Sequence, residues 1–258
     1  MDDSLKNKRA LVTAGANGIG LEIARKLSGS GARVMVCDVS VDAIEKLAHS
    51  DPQLEVFNAD VSSEKQVQKL FHHVDSVFGG LDILVNNAGI AGPTGRTDTL
   101  EFSDWKRTLD INISGQFLCA KAAIPHLLTG VNPVMVNMSS IAGHMGVAGR
   151  TPYVASKWAV VGFTKSLALE LGPEGVRVNA VLPGIVQGPR IDAVIEARAR
   201  MQGESIENMT NLYTQDVSLG RMVKAGDIAN MVRFLCSNEA ANVHGQALVV
   251  DGYTPVLR

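Results

Sequence analysis

The chain has 258 residues, 46% apolar and 19% charged, with 24 Lys plus Arg against 26 Asp plus Glu and a formal net charge of −2. That balance excludes a largely disordered chain. It also lacks the basic surplus that binds phosphate backbones, so no nucleic-acid partner is expected. Among the 25 glycines, clusters stand at 15–20, 79–80 and 89–95, which points to tight turns rather than to collagen or a flexible linker.

The amino end, residues 1–9, has no apolar stretch of the kind a secretory signal carries. A strand is predicted at 9–13, then a glycine turn and a helix over 18–28. Strands at 33–37 and 54–58 are each followed by a helix, at 41–48 and 64–78. A strand at 81–86 leads through a Gly/Pro/Thr loop, 89–99, into one long helix over 102–128. A strand at 133–138 precedes a helix over 153–171, and a strand at 177–181 follows. Where a short connection belongs, residues 189–213 carry Ile191, Val194 and Ile195, then Ile206, Met209, Leu212 and Tyr213, which predicts two short amphipathic helices broken at Gly203. A helix over 227–236 and a strand at 247–250 complete the pattern. Most strands are continuously apolar, as in a parallel sheet covered on both faces. The expected fold is therefore a single α/β domain over 1–258. It is a doubly wound, Rossmann-type parallel sheet of about seven strands with helices on both faces, and 189–213 form a helical substrate lid.

No apolar run approaches the roughly 18 residues needed to cross a bilayer, so no membrane role is expected. Cys37, Cys119 and Cys236 are too few and too widely spaced for a disulfide framework and read as buried thiols, which fits the cytoplasm. Neither Cys-x-x-Cys nor His-Glu-x-x-His occurs, so no metal site is expected.

The turn Thr13-Ala14-Gly15-Ala16-Asn17-Gly18-Ile19-Gly20 lies between a strand and a helix. Small residues there let backbone approach a pyrophosphate, and the helix N-terminus offers N–H donors. Asp38 closes the second strand 18 residues after Gly20, where a carboxylate accepts from an adenosine ribose diol and repels a 2′-phosphate. No Lys or Arg stands in the turn or directly after Asp38, so NAD(H) is expected over NADP(H). The alternative role of Asp38 is that of a helix-capping or solvated turn acid. Tyr153 and Lys157 lie one helical turn apart, so an ammonium can favour the phenolate. Ser140, 13 residues before Tyr153, follows a strand at the edge where open α/β sheets bind ligands, with Asn112 and Asn86-Asn87-Ala88-Gly89 beside it.

Over nearly its whole length the chain resembles the short-chain dehydrogenase/reductase family. The glycine turn, Asp60-Val61, Asn86-Asn87-Ala88-Gly89, Asn112, Ser139-Ser140, Tyr153-x-x-x-Lys157 and Pro183-Gly184 stand in the family's order and spacing. The resemblance implies hydride transfer between NAD(H) and a secondary alcohol or ketone, with the proton passing through Tyr153. Ser140 would bond the reacting oxygen, Lys157 would lower the pKa of Tyr153 and hold the nicotinamide ribose, and Asn112 would keep a water linking Lys157 to solvent. Gly15, Asn17, Gly18, Ile19 and Gly20 would cradle the phosphates and Asp38 the ribose. Asp60 and Val61 would flank the adenine, Asn86, Asn87, Ala88 and Gly89 would line the cofactor path, and Pro183, Gly184 and Val186 would position the nicotinamide.

Two positions depart from the family. Ala14 stands where it has Gly, at a cost if the turn needs a positive φ. Gly188 stands where it often has a Thr on the carboxamide, with Gln187 a substitute. His144 and Arg190 are candidate substrate contacts, with Arg96 and Arg150 behind them, and would suit an alcohol bearing an oxyanion or further hydroxyls. The alternative readings are that Arg190 is solvated or pairs with Asp192 or Glu196, and that His144 forms a local hydrogen bond. The helix from Tyr153 is apolar nearly all round and so predicts burial on two sides, by neighbouring helices or by a second subunit. The family resemblance implies a homotetramer. The readings set against an NAD-linked dehydrogenase are an NADPH-linked carbonyl reductase resembling 3-oxoacyl carrier-protein reductases, and a non-catalytic NAD-binding sensor.

Overall fold

The computed structural model describes residues 4–255. Seven strands among them form one parallel sheet: β1 (Arg9–Thr13), β2 (Arg33–Asp38), β3 (Glu55–Asn58), β4 (Ile83–Asn86), β5 (Val134–Met138), β6 (Arg177–Pro183) and β7 (Ala247–Val250), in the order β3-β2-β1-β4-β5-β6-β7. β1 pairs with both β2 and β4, so the winding reverses at β1 and opens a crevice at the carboxyl ends of β1 and β4. Alternation along the strands sorts side chains between two cores. Val12, Val36, Val85 and Val136 face one core with Ile23, Leu27, Ile228 and Val232. Leu11, Met35, Leu84 and Met135 face the other with Leu70, Val74, Ala120 and Ala123.

The helices α1 (Gly18–Gly29), α2 (Val41–Ser50) and α3 (Glu64–Phe78) fall within a few residues of the predicted bounds. The helix expected over 102–128 is instead two, α4 (Phe102–Leu109) and α5 (Gly115–Leu127), joined by a π turn over Asp110–Ser114. A widened turn of this kind is common at functional sites and leaves no trace in apolar periodicity. Next come α6 (Thr151–Leu171), the pair α7 (Pro189–Gln202) and α8 (Ile206–Gln215), and α9 (Ala225–Cys236). The predicted break falls at Gly203, which caps α7 in the left-handed conformation at φ 71°. Ile185, Ile195, Ala199, Met209, Tyr213 and Val217 give this pair its own small core. No helix among the described residues is long and apolar enough to cross a membrane.

Gly20 marks the tightest contact between α1 and the sheet. A β-carbon there would lie 2.2 Å from the Ala14 carbonyl oxygen and 2.6 Å from Nδ2 of Asn87. Both neighbours are held in place, so the turn would have to shift. Gly20→Ala is expected to cost about 1–3 kcal/mol, as overpacking does, and to lower the melting temperature by roughly 2–12 °C for a chain of this size. A thermal melt unchanged from the parent would contradict this packing.

Candidate active site

The crevice at the β1/β4 reversal is built from backbone and two side chains. Oγ1 of Thr13 accepts from the backbone N–H groups of Asn87 (2.9 Å) and Ala88 (3.0 Å), and Nδ2 of Asn87 donates to the carbonyls of Thr13 and Ala14, each at 3.0 Å. Asn87 therefore fastens the end of β4 to the glycine turn. Ala14 does adopt a positive φ, 48°, as does Gly18 at 54°, so the departure from Gly at position 14 places strain in the turn. Asn17, the residue before α1, makes no side-chain cap bond, which leaves N–H donors of the first turn facing outward. Asp38 sits at the rim beside them. Its carboxylate accepts from the N–H groups of Ala16 (3.2 Å) and Ser40 (3.1 Å), which fix its position at the end of β2. Asp60 accepts from the N–H and hydroxyl of Ser62, and Val61 packs in the core against Gly115.

Asn86 is a correction. It is 1% exposed, and its amide donates to Oδ1 of Asn137 at 2.9 Å, on the side of the sheet facing α5 and α6, so its side chain does not line the cofactor path. The parity of a strand decides this, and one residue of register turns a side chain to the other face.

Tyr153, Lys157 and Ser140 do converge. Lys157 is 3% exposed and donates from Nζ to the Met138 carbonyl at the end of β5, 2.9 Å away. Its Nζ lies 5.7 Å from the centre of the Tyr153 ring. Ser140 accepts from the Ala142 N–H at 3.2 Å and is hydrogen-bonded with Tyr153. Burial pushes the Tyr153 phenol up, but the charges of Lys157, Arg190 and Arg150 and the bond with Ser140 outweigh it and hold the phenol below its ordinary value. Burial pulls Lys157 down to about 8, against the attraction of Tyr153, and the charge of Arg190 adds to the lowering. Lys157 Nζ and Asn112 Oδ1 both border Gly89, where an added β-carbon would meet them at 3.4 and 3.2 Å.

Asn112, fully buried in the π turn, has its amide engaged. Oδ1 accepts from the Ile90 N–H (2.7 Å), and Nδ2 donates to the Ile90 carbonyl and to Oγ of Ser156, each at 3.0 Å. It joins the loop after β4 to α6. Of the substrate candidates, His144 is exposed and Arg190 reaches over Tyr153, with Cζ 6.0 Å from the ring centre. The expected alternative partner Glu196 pairs with Arg200 instead. Arg96 pairs with Asp98 in solvent and does not join the site. Gln187 is exposed, with its N–H donating to the Val223 carbonyl. Pro183 ends β6, the Gly184 N–H donates to Val250, and Val186 bridges to Val223.

Two groups are more central than their sequence suggested. Arg150 is 6% exposed, with Cζ 4.9 Å from the Tyr153 ring centre. It stands three residues before Tyr153, a spacing that brings side chains together near a helix start. Arg198 is 1% exposed and donates from Nη1 to the Tyr213 hydroxyl at 3.1 Å. Its only signal was a place two turns after Arg190.

The Tyr153 phenol, the Lys157 ammonium, the Ser140 hydroxyl and the strand–glycine turn–helix thus share one edge of a parallel sheet. Residues 13–254 match the family model described as enoyl-(acyl carrier protein) reductase. The meso-2,3-butanediol dehydrogenase of Serratia marcescens is 33% identical over 95% of this chain and 94% of that protein. The cis-4-hydroxycyclohexanecarboxylate dehydrogenase of Sinomonas cyclohexanicum is 34% identical over 99% of this chain and 100% of that protein. An NAD+-bound xylitol dehydrogenase superposes with a TM-score of 0.92 at 28% identity, covering 96% of this chain and 99% of that one. The chain belongs to the short-chain dehydrogenase/reductase family and is an oxidoreductase.

Proposed function

We propose that the protein is an NAD-dependent dehydrogenase of small or medium secondary alcohols, with Tyr153 as its acid/base. The observation that carries this is the buried ammonium of Lys157, 5.7 Å from the centre of the Tyr153 ring, beside Ser140. The nicotinamide cofactor, when bound, supplies the hydride acceptor. Gly15, Asn17, Gly18, Ile19 and Gly20 hold its phosphates through the close approach that small residues permit, and Asp38 takes the adenosine ribose. Asp60, Val61, Asn87, Ala88, Gly89, Pro183, Gly184 and Val186 complete the cleft. In this reading Ser140 orients the substrate hydroxyl and Tyr153 accepts its proton as the C–O bond becomes a carbonyl. Lys157 stabilises the phenolate and holds the cofactor ribose. Asn112 is a positioning residue that fixes Ile90 against α6.

The carboxylate of Asp38, held by Ala16 and Ser40 at the rim, supports NAD over NADP. The reductive, NADPH-linked alternative draws its support from the 3-oxoacyl-(acyl-carrier-protein) reductase of Aquifex aeolicus, 33% identical over 98% of this chain and 99% of that protein. We further propose a homotetramer, supported by Phe117, Trp158 and Leu169 on the outer faces of α5 and α6, 49%, 50% and 82% exposed in the single chain. The three buried, unpaired cysteines support a cytoplasmic location.

Tyr153→Phe is expected to lower kcat for alcohol oxidation by about 10²–10⁴-fold, the worth of a positioned acid/base, while NAD still binds in a fluorescence titration. Retained turnover would remove Tyr153 from its role, and would leave the non-catalytic reading no better placed. Asp38→Ala is expected to lower kcat/KM for NAD by roughly ten- to a hundredfold, the worth of hydrogen bonds to a charged group, and to raise the NADP-to-NAD ratio. A parent enzyme that already prefers NADP would contradict the cofactor assignment.

A further inference from the structure

Three guanidiniums meet at the Tyr153 end of the crevice. Arg150 enters from the start of α6 and Arg190 from the start of the lid helix α7, with Cζ atoms 4.9 and 6.0 Å from the Tyr153 ring centre. Arg198, two turns further along α7, lies against Tyr213 with Cζ 5.4 Å from that ring. α7 closes on this region, since a β-carbon on Gly149 would lie 3.1 Å from Sδ of Met201.

Arginine stays charged in a protein and is almost never buried without an acidic partner. Arg150 and Arg198 are 6% and 1% exposed, and none of the three arginines forms an ion pair with a carboxylate of the described residues. Arg150 donates to the Ala91 carbonyl at 2.9 Å, yet its Nε, like that of Arg198, is enclosed with no acceptor among the described residues. Burial lowers the proton affinity of Arg150, and the charged groups that act on it are Tyr153, Tyr213, Arg190 and Arg198, with no carboxylate among them. Beside Lys157, Arg150 and Arg190, then, the groups able to become anions are the phenols of Tyr153 and Tyr213, with no carboxylate paired to these cations among the described residues. Two weakly acidic phenols do not balance three cations. The site is built for a second negative charge close to the reacting carbon.

We propose that Arg150 and Arg190 bind a carboxylate of the substrate, so that the alcohol oxidised here is a small hydroxy acid. The inference rests on the dehydrogenase reading of Tyr153 and narrows its substrate class. A planar guanidinium pairs with a carboxylate through two parallel bonds and fixes its orientation as well as its charge. Arg150, buried at the floor, sets the position of the carboxylate, and Arg190, exposed on the lid, closes over it. The substrate gives a hydride from its carbinol carbon to the bound nicotinamide and its hydroxyl proton to Tyr153. It leaves as the keto acid, with its carboxylate unchanged.

The test is steady-state oxidation with NAD of two hydroxy acids, 3-hydroxybutanoate and cis-4-hydroxycyclohexanecarboxylate, each beside its methyl ester. At least one acid is expected to exceed its ester in kcat/KM by about tenfold or more, the worth of a charged hydrogen bond. Arg190→Ala and Arg150→Gln are expected to lower that acid-to-ester ratio by about the same factor, mainly through KM, with Arg150→Lys recovering part of it. Arg190 is exposed, so Arg190→Ala keeps the test decisive if the Arg150 variants fail to fold. Esters oxidised as well as acids would overturn the carboxylate inference and leave the dehydrogenase standing. No NAD reduction with acids, esters, 2,3-butanediol or cyclohexanol would remove the dehydrogenase reading, and the inference with it. Loss of NAD affinity in Arg150→Gln, with the acid-to-ester ratio unchanged, would assign the arginine to the cofactor's phosphates and overturn it as well.

Discussion

Lys157 carries an ammonium into a place that is 3% exposed to water, and its one hydrogen bond to the described residues goes to a carbonyl, not to an acid. A buried charge without a counter-charge is costly, and two outcomes relieve it: the proton leaves, or a neighbour becomes an anion. Lys157 has Tyr153 one turn away on the same helix, and both outcomes are partly realised. The ammonium gives up its proton more readily, and the phenol beside it does the same. The site's chemistry follows from this exchange. A phenol made more acidic by a buried cation can take a proton from an alcohol and return it to a ketone near neutral pH.

The fold exists around that contact. Reversal of the winding at β1 leaves a crevice between β1 and β4, and the ends of β4 and β5 deliver Gly89, Met138 and Ser140 to one rim. The π turn of Asp110–Ser114 brings Asn112 to the same place, where it ties the loop after β4 to Ser156 of α6. Rotation of α6 would therefore break the bond between Asn112 Nδ2 and Ser156. On the cofactor side, Thr13 and Asn87 lock the glycine turn to the end of β4, and Gly20 keeps α1 close enough for the lock to form.

Most of this architecture was legible in the sequence, because a parallel sheet buried on both faces writes itself as apolar runs between amphipathic helices. The two helices within 189–213 were legible for the same reason, down to the break at Gly203. The strain at Ala14 was visible as a departure from the family's Gly, and the positive φ of 48° accounts for it. What was hidden depended on hydrogen bonding and parity. The π turn changes which carbonyl an N–H reaches without changing the residues, so one helix was read where there are two. Asn86 was placed on the cofactor path, although the pleat turns it toward Asn137. Arg198 carries no motif that marks it in the sequence, and the packing of α7 against α8 buries it.

The central claim is that Tyr153 titrates below the ordinary phenol value because cations crowd it, and the pH profile of kcat/KM for alcohol oxidation reads that group in the free enzyme. Oxidation needs the phenolate, whose population grows as pH rises through the Tyr153 pKa. The account therefore predicts a rate that climbs with pH and levels off below the phenol's ordinary value of about 10, with the break moved upward in Lys157→Met. A break at or above that value, or one that stays in place when Lys157 is replaced, would contradict it.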